Sequence, residues 1–261
     1  EILAQYEREQ SRDLVWPDAV REALPQVVRP ITRDGKRGFV LYSDLNTANA
    51  DGEIAAQLEF FRTEDIPFEW KLFSHDRPAD LRTRLARQGI ETDEEEAVMV
   101  LDLSAGPPLL QLQPTADVRR ITEPGDLVAV AVIEEAIWGR SFVDQTERLR
   151  VDMVNAPESL AVYLAYVAGS PVAAGWTYFH TGTGFASIWG GSTLPEYRGR
   201  GLYSALLAAR ARDTQERGYR FLTVDAGPMS KPILARHGFV EIAVAYPCEW
   251  TPERSEIMRP A

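Results

Sequence analysis

The chain has 261 residues, 45% hydrophobic and 26% charged, a balance that suits a globular protein with a sizeable core and excludes a disordered or fibrous one. A net charge of −11 argues against nucleic-acid binding through bulk electrostatics, and a single cysteine, Cys248, excludes an internal disulfide and a multi-cysteine metal site. The scattered His75, His180 and His237 offer no zinc spacing, no apolar run reaches membrane-span length, and no secretory pattern opens the sequence; neither metal nor membrane is expected, and the expected location is cytoplasmic.

Residues 1–110 hold 13 basic and 22 acidic groups, against 15 and 17 in the remainder. The acidity therefore lies in the first part, which suggests two units with different work. Ile2 to Leu14 reads as helical, and Asp18 to Leu24 as a second short helix. Val27 to Ile31 and Phe39 to Tyr42 read as strands around Arg33-Asp34-Gly35-Lys36, since Asp-Gly is a hairpin signal. Asp51 is placed to cap a helix over 52–62 that buries Ile54, Leu58 and Phe61. A strand at 67–74, a helix at 78–88 and an apolar strand at 97–103 complete an alternating α/β unit. The acidic run Asp93 to Glu96 between them reads as a solvated loop, and Trp70, Lys71, His75 and Asp76 read as packing and a capped turn.

Gly106-Pro107-Pro108 opens a linker. The expected organisation is a first domain at 1–105, a linker at 106–116 and a second domain at 117–261. In the second domain a strand at 118–121 precedes helices at 125–138 and 144–154, the latter capped by Asp144. Strands at 160–168 and 172–179 join through Gly169-Ser170-Pro171, and Thr181-Gly182-Thr183-Gly184 turns the chain into a strand at 185–194. A helix begins at Leu202, with Leu202, Ala205, Leu206 and Ala209 on one face, and ends near Gly218. A strand at 221–225, a short helix at 231–237 and a strand at 240–246 follow.

The distinctive stretch is the turn Arg198-Gly199-Arg200-Gly201 between strand and helix. Glycines there let the backbone approach a ligand closely, and the opening helix offers unpaired N–H groups and the positive end of its dipole. The pattern reads as a pyrophosphate site, although neither of the two standard phosphate-loop spacings is present. From Thr193 through Tyr203 the sequence TLPEYRGRGLY resembles the acetyl-CoA signature of the GNAT superfamily of N-acetyltransferases: Gln or Arg, two residues, Gly, one residue, then Gly or Ala. Arg198 and Gly201 match; Tyr203 departs from the last position. The strand and helix order from 117 to 250, closing on Gly238-Phe239, resembles the same family. PFEWKLFSHDRPADLRTRL, residues 67–85, resembles a segment of two-domain bacterial members whose first domain is a degenerate copy.

The resemblance implies an α/β fold (α+β in some schemes), a tandem GNAT-like arrangement with a mixed central sheet flanked by helices in each half. It implies acetyl-CoA as cosubstrate, no metal, and transfer of an acetyl group to a primary amine of a small molecule. Backbone groups of Gly191, Ser192 and Thr193 would pair with the pantetheine arm, and those of Gly199, Arg200, Gly201, Leu202, Tyr203 and Ser204 would hold the pyrophosphate. Arg198 and Arg200 either add charge at the phosphates or stay solvated; Ser230 is either a polar CoA contact or a helix cap. Where many members carry a tyrosine as proton donor this chain has Leu234, and the strand at 185–194 lacks the family's base-serving glutamate. Tyr246, on a last strand expected beside the strand after the phosphate helix, is the candidate donor, with Tyr203 the other phenol. His237 is read as packing at a helix end.

The acidic bias favours a cationic amine, and Trp138, Trp176 and Trp189 either line an acceptor pocket or pack the core. A homodimer is compatible with the sequence. A second reading, a non-catalytic acyl-CoA-binding or regulatory module with an inherited pocket, stays open because of Leu234 and the missing glutamate.

Overall fold

The computed structural model describes residues 1–113 and 116–252; Pro114 and Thr115 of the expected linker and the tail 253–261 lie outside the described residues. In chain order the elements are α1 (Ile2–Tyr6), continued by a π-helical turn over Glu7–Arg12, then β1 (Ala19–Ala23), β2 (Val27–Thr32), β3 (Gly38–Val40) and β4 (Tyr42–Ser43). There follow α2 (Ala50–Glu64), β5 (Phe68–Phe73), α3 (Leu81–Arg87), β6 (Glu91–Thr92) and β7 (Glu96–Asp102). The remainder comprises β8 (Asp117–Ile121), α4 (Leu127–Trp138), α5 (Val143–Asn155), β9 (Leu160–Val167), β10 (Ser170–Phe179), β11 (Phe185–Thr193), α6 (Leu202–Glu216), β12 (Phe221–Ala226), α7 (Lys231–Arg236) and β13 (Val240–Trp250).

Two compact units result, and each is built from two separate stretches of chain. The first takes Glu1–Gln10 with Ala97–Ile242; the second takes Ser11–Glu96 with the described residues from Ala243 to Pro252. In the first unit the strands lie in the order β7-β12-β11-β10-β9-β8. All neighbours there are antiparallel except β11 and β12, whose parallel pairing requires the crossover that α6 supplies. Residues Leu160 to Ala165 of β9 are all buried because both faces of the sheet are covered. Tyr163, Ile188 and Leu222 pack under Leu202, Leu206 and Leu207 of α6. Val162, Leu164 and Trp176 face Leu127, Val130, Ile133 and Leu149 of α4 and α5. Each fully buried aliphatic side chain of this kind contributes about 1.5–3 kcal/mol.

The second unit orders its strands β1-β2-β3-β5-β13, with β4 on β2 and β6 on β13. Here β3 and β5 are the parallel pair and α2 is their crossover. Ile54, Leu58 and Phe61 are buried as the helical spacing predicts, and Phe61 stacks on Phe68 with centroids 4.2 Å apart. Gly38 makes room for that ring, since a β-carbon there would lie 2.1 Å from Phe61 Cε1.

Several local expectations are corrected. Where a helix is expected over 18–24, Ala19–Ala23 form strand β1, with Glu22 opposite Arg29 of β2 and accepting from its guanidinium at 2.6 Å. Neither Asp51 nor Asp144 caps its helix; both sit inside the first turn, and Asp51 accepts from Arg84 at 2.7 Å. The β9–β10 connection turns at Ala168-Gly169, both at positive φ, so Ser170 and Pro171 already belong to β10. Within the expected linker, Pro108–Gln111 forms a 3-10 turn that buries Leu109.

Candidate active site

The centre of the first unit is an opening in its sheet. The β11–β12 ladder runs only from Phe185–Phe221 to Ser187–Thr223, whereas β12 stays paired to β7 as far as Ala226. Beyond Ser187 the two parallel strands therefore separate. The edge of β11 from Ile188 to Thr193 is left without a β12 partner, with Gly190 exposed and Gly191 half-buried. On its other edge β11 bulges: Ala174 pairs with Ser192 and Gly175 with Gly190, which leaves Gly191 as the extra residue. Both glycines are required. Their φ angles are +67° and +91°. A β-carbon on Gly190 would lie 2.5 Å from the Trp176 ring, and one on Gly191 2.7 Å from Tyr203 Cε2.

At the far end of β11 the signature turn is built as the glycine pattern predicts. A 3-10 turn over Pro195–Tyr197 leads to Gly199 at φ +74° and Gly201 at φ +77°, and α6 starts at Leu202. No side chain caps α6 and no acidic residue occupies its first turn, so its opening N–H groups and dipole face outward uncompensated. The arginines mainly hold the turn's shape. Arg198 Nε donates to Thr193 O at 3.1 Å, and Arg200 lies over the Tyr197 ring and donates to Glu196 O at 3.4 Å. Ser204, one turn into α6, is 2.8 Å from Nε2 of His237 at the end of α7. Burial, aided by Arg236, lowers the pKa of His237. Ser230 donates to Gly227 O at 3.3 Å and does not cap α7.

Beneath the bulge lies Arg210 of α6, 1% exposed. Its Nε donates to Leu206 O at 3.3 Å and Nη1 to Trp189 O at 3.2 Å, while Nη2 has no partner. Burial lowers its pKa, and Tyr203 and Tyr163 oppose that shift. An isolated buried cation is costly, so its position against the bulge is informative. Tyr203 packs its ring on Gly191; burial raises its phenol pKa and the Arg210 charge opposes.

On the opposite face, Glu134 of α4 is 1% exposed. Its Oε2 accepts from Ser192 Oγ at 2.9 Å and from Trp138 Nε1 at 2.9 Å, and Oε1 has no partner. Burial pushes its pKa up, against those two hydrogen bonds and the charge of Arg140. The sequence reading missed this residue. Trp176 is core, Trp138 and Trp189 are largely exposed, and Trp189 Nε1 donates to Ser187 Oγ at 2.9 Å. Ser187 Oγ is also 2.8 Å from His180 Nε2, whose pKa burial lowers to about 4.

The structure thus brings Gly191, Ser192, Thr193 and the 198–204 turn to one strand and the helix that follows it. It sets Leu234 in the core, fully buried. Tyr246 lies in the second unit, opposite Leu72 of β5, with the Arg82 guanidinium 4.6 Å above its ring. Among the described residues no cluster of His, Cys, Asp and Glu could hold a metal ion, and no helix is long and apolar enough to cross a membrane.

Residues 127–239 match the family model described as the Acetyltransferase (GNAT) family. Among solved structures the chain is similar to a GCN5-related N-acetyltransferase from Kribbella flavida (TM-score 0.68, 16% identity, 98% of this chain and 94% of that one covered). It is also similar to a tandem GNAT protein from the clavulanic acid biosynthesis pathway (TM-score 0.61, 16% identity, 94% and 86% covered). A functionally unknown conserved protein from Staphylococcus epidermidis ATCC 12228 is comparable (TM-score 0.67, 14% identity, 91% and 96% covered). No curated protein sequence matches the chain. The chain has the tandem GNAT fold, and the match to the GNAT acetyltransferase family falls on its residues 127–239.

Proposed function

We propose that this protein is an acetyl-CoA-dependent N-acetyltransferase that acetylates a primary amine of a small molecule. The observation that carries the reading is the combination of an unpaired β11 edge at 188–193 with an uncapped α6 N-terminus opening from Gly199 and Gly201. An extended pantetheine arm can add to that edge by main-chain hydrogen bonds, as a strand would, through Gly191, Ser192 and Thr193. The diphosphate then meets the N–H groups from Gly199 to Ser204 at the positive end of the helix. Arg210 sets a positive charge against the bulge through its bond to Trp189 O, and such a charge would favour negative charge developing at that strand. The thiolate takes a proton in this reading from the phenol of Tyr203, since Leu234 offers none.

Gly201→Asp tests the donor site. Asp tolerates positive φ better than most residues, so the variant is expected to fold, yet it places a carboxylate where phosphate would sit. Calorimetry with acetyl-CoA should show affinity lower by about tenfold or more, the equivalent of roughly 1.4 kcal/mol. Unchanged affinity would refute the assignment.

A further inference from the structure

Glu134 is not explained by the acetyl-donor site. It lies on the stripe of α4 that otherwise buries Leu127, Val130 and Ile133, where an apolar residue would serve stability better. No Lys or Arg among the described residues pairs with it, and Oε1 is buried without a partner. Such a carboxylate costs stability at neutral pH, and nothing in the packing of α4 requires it.

Its one strand contact is informative. Ser192 is the residue next to the bulge, opposite Ala174 and on the face that α4 covers. A hydrogen bond therefore links the core carboxylate, through Ser192 Oγ at 2.9 Å, to the unpaired stretch of β11 that would take the acyl donor. The other titratable groups on this face are already committed. Asp152 of α5 accepts from Tyr178 Oη at 2.8 Å, and His180 is held neutral on Ser187. Arg140, just after α4, is the cation whose charge acts on Glu134.

We propose that Glu134 and Ser192 form a proton relay that deprotonates the acceptor amine, a role that rests on the acetyl-donor reading above. The incoming ammonium loses a proton to Ser192 Oγ as the hydroxyl proton of Ser192 passes to Glu134 Oε2. The neutral amine attacks the thioester carbon; the C–N bond forms, the C–S bond breaks, the Tyr203 phenol gives its proton to the thiolate, and the surplus proton on nitrogen restores the phenol. Glu134 returns its proton to solvent through the same path. Burial that favours the protonated carboxyl brings its basicity closer to that of an amine. The substrate class is a primary amine that arrives as its ammonium ion.

The test combines acetyl-CoA calorimetry with CoA release across about pH 6–9, using spermidine, lysine, tyramine and glucosamine as acceptors. Glu134→Gln should bind acetyl-CoA as wild type does and melt no lower. Its turnover should fall by about 10²-fold near neutral pH, with a rate that climbs steadily as the amine deprotonates in solution. Ser192→Ala should behave likewise, and Ser192→Thr, which keeps the hydroxyl, should recover most of the rate. Wild-type release no faster than that of Glu134→Gln at every pH, with acetyl-CoA binding intact, would overturn the relay alone. Absent acetyl-CoA binding in wild type would overturn the donor-site reading with it.

Discussion

Both units contain a parallel β–α–β crossover with a helix of 15 residues, yet only one has the features of an anion site. In the first unit the chain leaves β11 through Gly199 and Gly201, and α6 opens without a cap or an acid. In the second unit the chain passes from β3 through β4 and enters α2 by an asparagine-built turn. Asn46 Oδ1 accepts from the N–H groups of Ala48 and Asn49, Asn49 Oδ1 accepts from Asn46 N, and Asp51 and Glu53 occupy the first turn of α2. Those side chains satisfy the turn and place negative charge at the end where a phosphate would need positive. The parallel strands differ as well. Each parallel ladder has three residue pairs, but β3 ends with its ladder at Val40, whereas β11 continues past its own from Ile188 to Thr193. The same topology is closed in one unit and open in the other.

The contrast yields a graded set of expectations. The largest concerns glycine. Gly191→Ala places a β-carbon 2.7 Å from Tyr203 at φ +91° and should cost about 2–5 kcal/mol from strain and overpacking. Gly52→Ala in α2, where a β-carbon meets nothing within 4 Å, should instead stabilise by about 0.4–1 kcal/mol. Urea unfolding of the two variants compares them; equal effects would erase the distinction.

Next comes His180, buried and neutral in the first unit. Its folded pKa of about 4 lies below the ordinary 6.5, so the unfolded chain binds more protons between those values. Stability should be full above about pH 6.5 and fall by about 2–4 kcal/mol as pH drops toward 4. His180→Gln should flatten that part of a melting-temperature profile against pH. Glu134 has the opposite sign: its raised pKa makes its contribution to stability fall as pH rises from the ordinary carboxylate range.

A smaller effect separates the two phenols. Tyr203→Phe should lower turnover about tenfold or more with acetyl-CoA affinity kept, because the Tyr203 ring packs on the bulge. Tyr246→Phe should change turnover by less than about twofold, since that ring lies opposite Leu72 under Arg82. Unaltered turnover in Tyr203→Phe would remove Tyr203 as the donor. Smallest is Asn46→Ala, which should cost about 1 kcal/mol through the lost turn bonds and leave acetyl-CoA affinity unaltered.

The glycine-rich turn was legible because backbone conformation restricts residue type there: Gly199 and Gly201 both sit at positive φ. The second crossover could be outlined from Ile54, Leu58 and Phe61, whose spacing is that of a buried helical face. Strand β1 was hidden because Ala19 to Ala23 has helix-compatible residues and becomes extended only through pairing with β2. Glu134 and Arg210 were hidden in another way, as charged residues within strongly helical segments. A signal was nevertheless present. Glu134 continues the buried stripe of Leu127 and Val130, and Arg210 follows Leu202 and Leu206 at four-residue steps. A charge on a core stripe marks a site more reliably than one on a solvent face. The opening between β11 and β12 depends on where a ladder stops, which no residue pattern in either strand encodes.

The central claim is that the acyl donor occupies the open crossover and leaves the closed one untouched. Amide hydrogen exchange with and without acetyl-CoA measures this at both places in one experiment. The account predicts new protection from Gly190 to Thr193 and from Gly199 to Ser204, with exchange from Asn46 to Glu53 unaltered. Protection at Asn46 to Glu53 instead, or none at either turn, would contradict it.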